Sequence, residues 1–348
     1  MENLRRNNFD LLRLIAALQV VLTHVYSHVL VAHNYQNKYT DMVFELIKNI
    51  PGVPIFFLIS GFLISLSYEK NSSLRDYITN RVLRIYPGLY LNIFIGILIV
   101  YFLGFVTFNT QFFTWLFAQL TIFQFYNIDM FREYGTGVVN GSLWTISIEL
   151  TFYIVLPILF FIYQKNKAIL WAIAFLTFGL WLYDVDSSRE LIYEKLLHVS
   201  ILPYLFIFII GLLFFKYFDK LKEYVDNKFF IWLSIFVLFK FILYSLSLEM
   251  NFAFYTLQWI IFTFMTFSFA FSFRDLSQKL LRGNDYTYGI YIYHMLIVNF
   301  FIHIGFVGEF KYLVFILTLS ILIGVTSWYL VEKPFLKLKK HSLFKEIH

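Results

Sequence analysis

Apolar residues run along this chain in long blocks separated by short polar connections. Ten blocks approach the roughly 17–25 residues that a helix needs to cross a bilayer. They lie at about 9–31, 52–68, 88–106, 142–163, 168–183, 197–216, 230–248, 253–273, 287–307 and 312–331. An eleventh block, Phe112–Tyr126, is apolar but short, and reads as a re-entrant or interfacial segment. The pattern predicts an all-α polytopic membrane protein with about ten transmembrane helices. Residues 1–335 form one transmembrane domain and 336–348 a basic tail. No internal repeat stands out, so an inverted-repeat transporter gains no support.

Composition sharpens this reading. Apolar residues make up 59% of the 348 and charged residues only 14%, too little polar surface for a soluble domain. There is no cysteine, which removes disulfides, thiolate metal sites and a thiol nucleophile. The net charge of +6 needs no nucleic acid, because cytoplasmic lysines and arginines explain it. With 112–126 not crossing and the N-terminus inside, 21 lysines and arginines fall on the inner side, six on the outer, and Lys240 within a span. A crossing at 112–126 would turn the later inner charges outward. The positive-inside rule therefore predicts a plasma (inner) membrane protein with both termini cytoplasmic. Arg13 interrupts the first apolar block and no small-residue cleavage site follows, so that block is expected to stay as a helix.

The first span carries charge that lipid would reject, at about 2.5–3.5 kcal/mol per ionised group. At 100° per residue, Asp10, Arg13, Ala17, His24 and His28 share one stripe about 60° wide. Arg13 and His24 are three turns apart, roughly 16 Å. The stripe is expected to line a wet seam from the inner face to mid-membrane. His24 and His28 have metal-pair spacing, but no Glu follows His24 in the metalloprotease pattern, so no metal is expected.

Four other stretches carry candidate chemistry. In "NRVLRIYPG", Arg81 and Arg84 share a helix face that suits a phosphate, although topology alone explains two arginines. Pro87 favours an end or kink there. In "PGVPIFFLISGFLIS", Ser60 and Gly61 let a helix or ligand approach the backbone. In "GSLWTISIELTFY", Ser142 and Glu149 lie on similar faces, Ser142 being equally apt as a helix cap. The buried Glu149 needs a partner or a proton. In "DYTYGIYIYHML", Tyr288, Tyr291 and His294 fall close to one face. In "VEKPF", Glu332 can pair with an arginine or meet water.

Taken in order, these residues resemble the acyltransferase-3 family of membrane O-acyltransferases over nearly the whole chain. The resemblance rests on Arg13 and His24 with ten residues between them, Ser60-Gly61-Phe62, the arginines of "RVLRIYP", Trp144 and Glu149 of "LWTISIE", and "TYGIYIYH" with Thr287 at the usual serine. It implies transfer of an acyl group, acetyl first and succinyl next, from acyl-CoA to a hydroxyl of a cell-surface or lipid-linked glycan. Lipopolysaccharide O-antigen, capsule and exopolysaccharide all remain open as acceptors, polyprenyl-linked forms included. In that scheme Arg81 and Arg84 hold acetyl-CoA phosphates, with Arg13 at the entry and Asp10 orienting it. His24 is the general base or acyl carrier, and Glu149 orients a histidine. Tyr288, Tyr291 or His294 donates to the oxyanion, while Ser60, Ser142 and Trp144 contact substrate. Many relatives add a C-terminal extracytoplasmic domain, so acceptor choice here is expected from the membrane core or a separate extracytoplasmic partner. The competing reading is a glycan or acyl-group transporter or flippase that makes no bond; polar stripes mark transport paths equally well.

Overall fold

The structure, a computed structural model, describes residues 7–35, 37–70, 73–273 and 275–338. Arg5, Arg6, Arg274 and all but the start of the basic tail lie outside the described residues. Among those described, the fold is all helical, with no strand. Seven helical segments are long and apolar enough to cross a membrane, and two bent pairs would bring that to nine. A further apolar helix, Thr287–His303, has 17 residues and is almost wholly buried.

The helices are α1 (Phe9–Val25), α2 (Lys38–Lys48), α3 (Gly52–Lys70), α4 (Leu74–Phe102), α5 (Thr110–Leu120), α6 (Trp144–Lys165), α7 (Lys167–Asp186) and α8 (Ile192–His198). They continue with α9 (Leu205–Lys216), α10 (Phe218–Val225), α11 (Phe229–Ser245), α12 (Phe252–Phe271), α13 (Leu276–Leu281), α14 (Thr287–His303), α15 (Phe310–Ser327) and α16 (Lys333–Leu336). Two boundaries differ from the sequence expectation. The second span reaches back through α2, giving one segment Lys38–Lys70. The third starts at Leu74 rather than near 88, so Arg81 and Arg84 sit inside α4. Pro87 does not end that helix. Neighbouring helices can hold a proline within a membrane helix, and here the Tyr288 hydroxyl donates to the Ile85 carbonyl at 2.8 Å while Asn92 Nδ2 donates to the Ile292 carbonyl at 2.8 Å.

At 11 residues, α5 is about 16 Å long, half the hydrocarbon thickness. The chain beyond it is irregular, and its polar groups are met inside the protein. Gln119 Nε2 donates to the Tyr126 carbonyl at 2.9 Å, and Ser147 Oγ donates to Gln124 Oε1 at 2.8 Å. This is how non-helical backbone is tolerated at membrane depth.

Lipid supplies no hydrophobic drive between helices, so close packing must hold them. Gly61 does this on α3: a Cβ there would stand 2.1 Å from the Phe208 carbonyl oxygen, and one at Gly211 would stand 2.2 Å from that of Leu58. Beside this crossing, fully buried Phe62 touches the rings of Phe9, Phe214, Phe215, Phe218, Phe267 and Phe271. Asn8, also fully buried, ties the start of α1 to the turn between α12 and α13. Its backbone N–H donates to the Ala270 carbonyl at 2.8 Å, and its Oδ1 accepts from the Ser277 N–H at 2.8 Å. That turn leads through α13 to Asp285, which brings Asp285 beside Arg13.

Candidate active site

A cleft partly open to solvent lies among α1, α3, α4, α6 and α14. Its polar lining includes Arg13, Ser60, Arg81, Arg84, Glu149 and Tyr288, together with Thr145, Thr287, Tyr153 and Tyr291. Three guanidiniums from two helices therefore face one space, as the spacing of the arginines predicts.

Two of them are already paired. Asp285, 6% exposed, forms an ion pair with Arg84 Nη2 and lies 3.9 Å from Arg13 Nη1. Asp10 Oδ1 lies 3.7 Å from the same Arg13 Nη1. Burial alone would raise the Asp285 carboxyl, but the Arg84 and Arg13 guanidiniums reverse this and hold it well below the usual carboxylate range. Asp285 Oδ1 also accepts the Thr287 N–H at 3.1 Å, just before the start of α14. Sequence reasoning missed this residue. The available signal was an acid set directly before an apolar run, as Asp10 is in α1.

Arg81 is different. Its Nη2 donates to Ser67 Oγ at 2.7 Å, and its guanidinium lies 5.4 Å from the Tyr153 ring centre. No carboxylate among the described residues pairs with it, and its buried Nε–H has no partner. It is the cation most ready for an incoming anion.

His24 and His294 meet. His24 Nδ1 is 2.8 Å from His294 Nε2, and the rings stack with centres 5.1 Å apart. The partners fix the protons. His294 Nδ1 contacts the Tyr291 carbonyl, which can only accept, so that nitrogen carries hydrogen. His294 Nε2 then accepts from His24 Nδ1–H, which leaves the lone pair of neutral His24 on Nε2. That nitrogen accepts no hydrogen bond from the described residues. His294 is fully buried, whereas His24 is half-buried. Just beyond His24 the helix widens into a π-turn, Tyr26–Leu30, a distortion frequent at functional sites. His28 lies in that turn, its ring 5.8 Å from that of His24.

Several expected roles are reassigned. His24 and His294 are not among the residues that line the cleft. Tyr291 links the pair to it: its side chain lines the cleft, and its carbonyl holds His294 one helical turn further along. Glu149 reaches neither histidine and instead accepts from the Tyr153 hydroxyl. The Tyr291 carbonyl does the orienting expected of it. The phenols are committed too, Tyr288 to the Ile85 carbonyl and Tyr291 to Thr145 Oγ1 at 2.7 Å. Ser142, fully buried, donates to Asn140 Oδ1 at 2.8 Å and serves the helix start rather than the cleft. Trp144 is not among the cleft-lining residues, and its indole lies 5.0 Å from the His198 ring. Buried Glu332 forms no ion pair among the described residues and accepts from Ser327 Oγ at 2.9 Å. Ser60 lines the cleft, while Gly61 packs α3 on α9.

Residues 6–331 match the acyltransferase domain family, which the motifs had suggested. The chain belongs to the acyltransferase-3 family. It is similar to Nodulation protein 10 of Rhizobium leguminosarum bv. viciae, 32% identical over 354 residues that cover 96% of this chain and 94% of that one. It is also similar to the O-acetyl transferase of Shigella phage Sf6, 27% identical over 347 residues covering 95% and 96%. No solved structure matches it. With its apolar helices, this acyltransferase-3 protein is a multi-pass membrane acyltransferase whose reaction requires an acyl donor.

Proposed function

We propose that the protein transfers an acetyl group from acetyl-CoA to a hydroxyl of a cell-surface or lipid-linked glycan. The observation that carries this reading is the chain Tyr291 C=O, His294, His24, which leaves a bare imidazole nitrogen one helical turn beyond a three-arginine cleft. The name of the phage relative, an O-acetyl transferase, supports acetyl and oxygen. The excess of lysine and arginine at the arginine end supports placing that end, and both termini, in the cytoplasm of the inner membrane.

In this mechanism Arg81 binds a donor phosphate, and Arg84 and Arg13 add charge from either side of Asp285. The thioester reaches His24 past Tyr291. His24 Nε2 takes the acceptor hydroxyl proton as the new C–O bond forms. The C–S bond then breaks, and the departing thiolate is protonated as the histidine returns to its neutral form. His294 holds His24 in the tautomer this needs and shares the charge of the transient imidazolium. The test is label transfer from radiolabelled acetyl-CoA to the host's envelope carbohydrate by the purified protein. His24→Ala should lower the rate about 10²–10⁴-fold at wild-type protein yield. Full transfer by that variant would remove the histidine from the scheme. Movement of unmodified glycan across vesicles without label transfer would favour a flippase.

A further inference from the structure

Outside the arginine cleft, at the start of α6, lies a second cluster of ionisable groups. Asp184, 3% exposed in the last turn of α7, accepts from His198 Nδ1 at 3.0 Å and Arg189 Nη2 at 3.4 Å. The Tyr204 hydroxyl lies 3.1 Å from the same Nδ1. The His198 ring packs 5.0 Å from the Trp144 indole, and Tyr204 approaches that indole at 5.7 Å. Because Nδ1–H is committed to Asp184, His198 presents Nε2, which bonds to none of the described residues. The imidazole side chain is 25% exposed and that of Arg189 42%. Trp144 is half-buried.

A pin for the loop between α7 and α8 would need only Asp184 and one cation. The cluster adds an aromatic platform and a half-open imidazole with one nitrogen free. A flat aromatic surface suits the C–H face of a pyranose, and imidazole, carboxylate and guanidinium suit its hydroxyls. The place also fits. Thr145, next in the chain, bonds to Tyr291. A Cβ at Gly141 would lie 3.6 Å from Met295, the neighbour of His294. The start of α6 thus touches both places, Thr145 through Tyr291 and Trp144 through His198.

We propose that Trp144, His198 and Arg189, backed by Asp184, form a subsite for a sugar ring of the acceptor and set which glycan is modified. This rests on the glycan reading above. The test uses purified protein in detergent, radiolabelled acetyl-CoA, and the carbohydrate fraction of the host's envelope at varied amounts. Trp144→Ala and His198→Gln should each raise the half-saturating carbohydrate concentration at least tenfold. The half-saturating acetyl-CoA concentration should stay within twofold of wild type. Trp144→Phe keeps a stacking face, so it should recover most of the loss and serves as the folded comparison if the alanine variant expresses poorly. A lower maximal rate at unchanged half-saturation, or wild-type behaviour in both variants, overturns the subsite. If wild-type protein labels no carbohydrate, the glycan reading itself fails, and that outcome is distinct from the other two.

Discussion

His294 offers the sharpest test, because it touches His24 and does not line the cleft. In His294→Ala, Nδ1–H of His24 loses its acceptor. A hydrogen bond to a neutral group is worth about 0.5–1.5 kcal/mol and one to a charged group about 1.5–3 kcal/mol. His24 is neutral before proton transfer and cationic after it. Only the difference, about 1–1.5 kcal/mol, acts on the chemical step, which corresponds to roughly a five- to thirteenfold loss in kcat. Removing His24 itself should cost about 10²–10⁴. If His294 acts through His24, its loss should cost nothing further once His24 is gone. The assay is label transfer from acetyl-CoA by wild type, both single variants and the double variant, at matched amounts of protein with matched melting curves. Multiplicative losses in the double variant would refute the relay, because residues acting as one unit are strongly non-additive. So would a His294→Ala deficit as large as that of His24→Ala.

Other consequences follow from the same geometry. Arg84→Ala and Asp285→Asn each leave a buried partner unmatched and should cost about 3–5 kcal/mol in stability, read by thermal melting in detergent; removing both should cost less than the two losses together, and strict additivity would contradict the pairing. The Asp285 carboxyl is held low by its arginines, so its stabilisation is complete above the ordinary carboxylate pKa and fades only as pH falls through the depressed value. The melting gap between wild type and Asp285→Asn should therefore be the same at pH 8 and pH 5, and a gap closing across that range would show the carboxyl raised by its burial rather than held low by the arginines. Arg81→Gln should raise the half-saturating acetyl-CoA concentration with little loss of melting temperature, since no carboxylate depends on it among the described residues; unchanged donor affinity would exclude a phosphate role. Gly61→Ala puts a methyl 2.1 Å from the Phe208 carbonyl oxygen and should sharply reduce folded protein, whereas wild-type yield would mean that α3 and α9 are not so closely packed in the membrane.

The sequence spoke most clearly where chemistry and periodicity coincide. Arg13 and His24 share a stripe because a helix repeats every 3.6 residues, and lipid forces such a stripe inward. Arg81 and Arg84 face one space for the same reason. Partnerships between helices were less legible. Glu149 sits in the cleft as its turn implies, yet its acceptor role goes to a tyrosine four residues on in its own helix. The carbonyl that orients His294 belongs to a backbone any residue could supply. Ser142 illustrates a polar side chain whose first claim is local, since cap geometry captured it before a ligand could. Asp285 was hidden because its value depends on Asn8 anchoring α1 some 270 positions away, and no local pattern reports that. Pro87 misled for a related reason: breaking a helix is a habit of isolated chains in water, and packed neighbours suspend it.

Asp285 also has a consequence for which visitors the cleft admits. Being tethered, it competes for Arg84 and Arg13 at an effective concentration on the order of millimolar or higher. Chloride or a lone carboxylate brings one negative charge, no more than the resident already supplies, and gains little by displacing it. A diphosphate brings several charges on one body and can engage the guanidiniums without evicting their counter-ion. If the proposed donor site is right, the entrance would sort anions by valence before any shape is read.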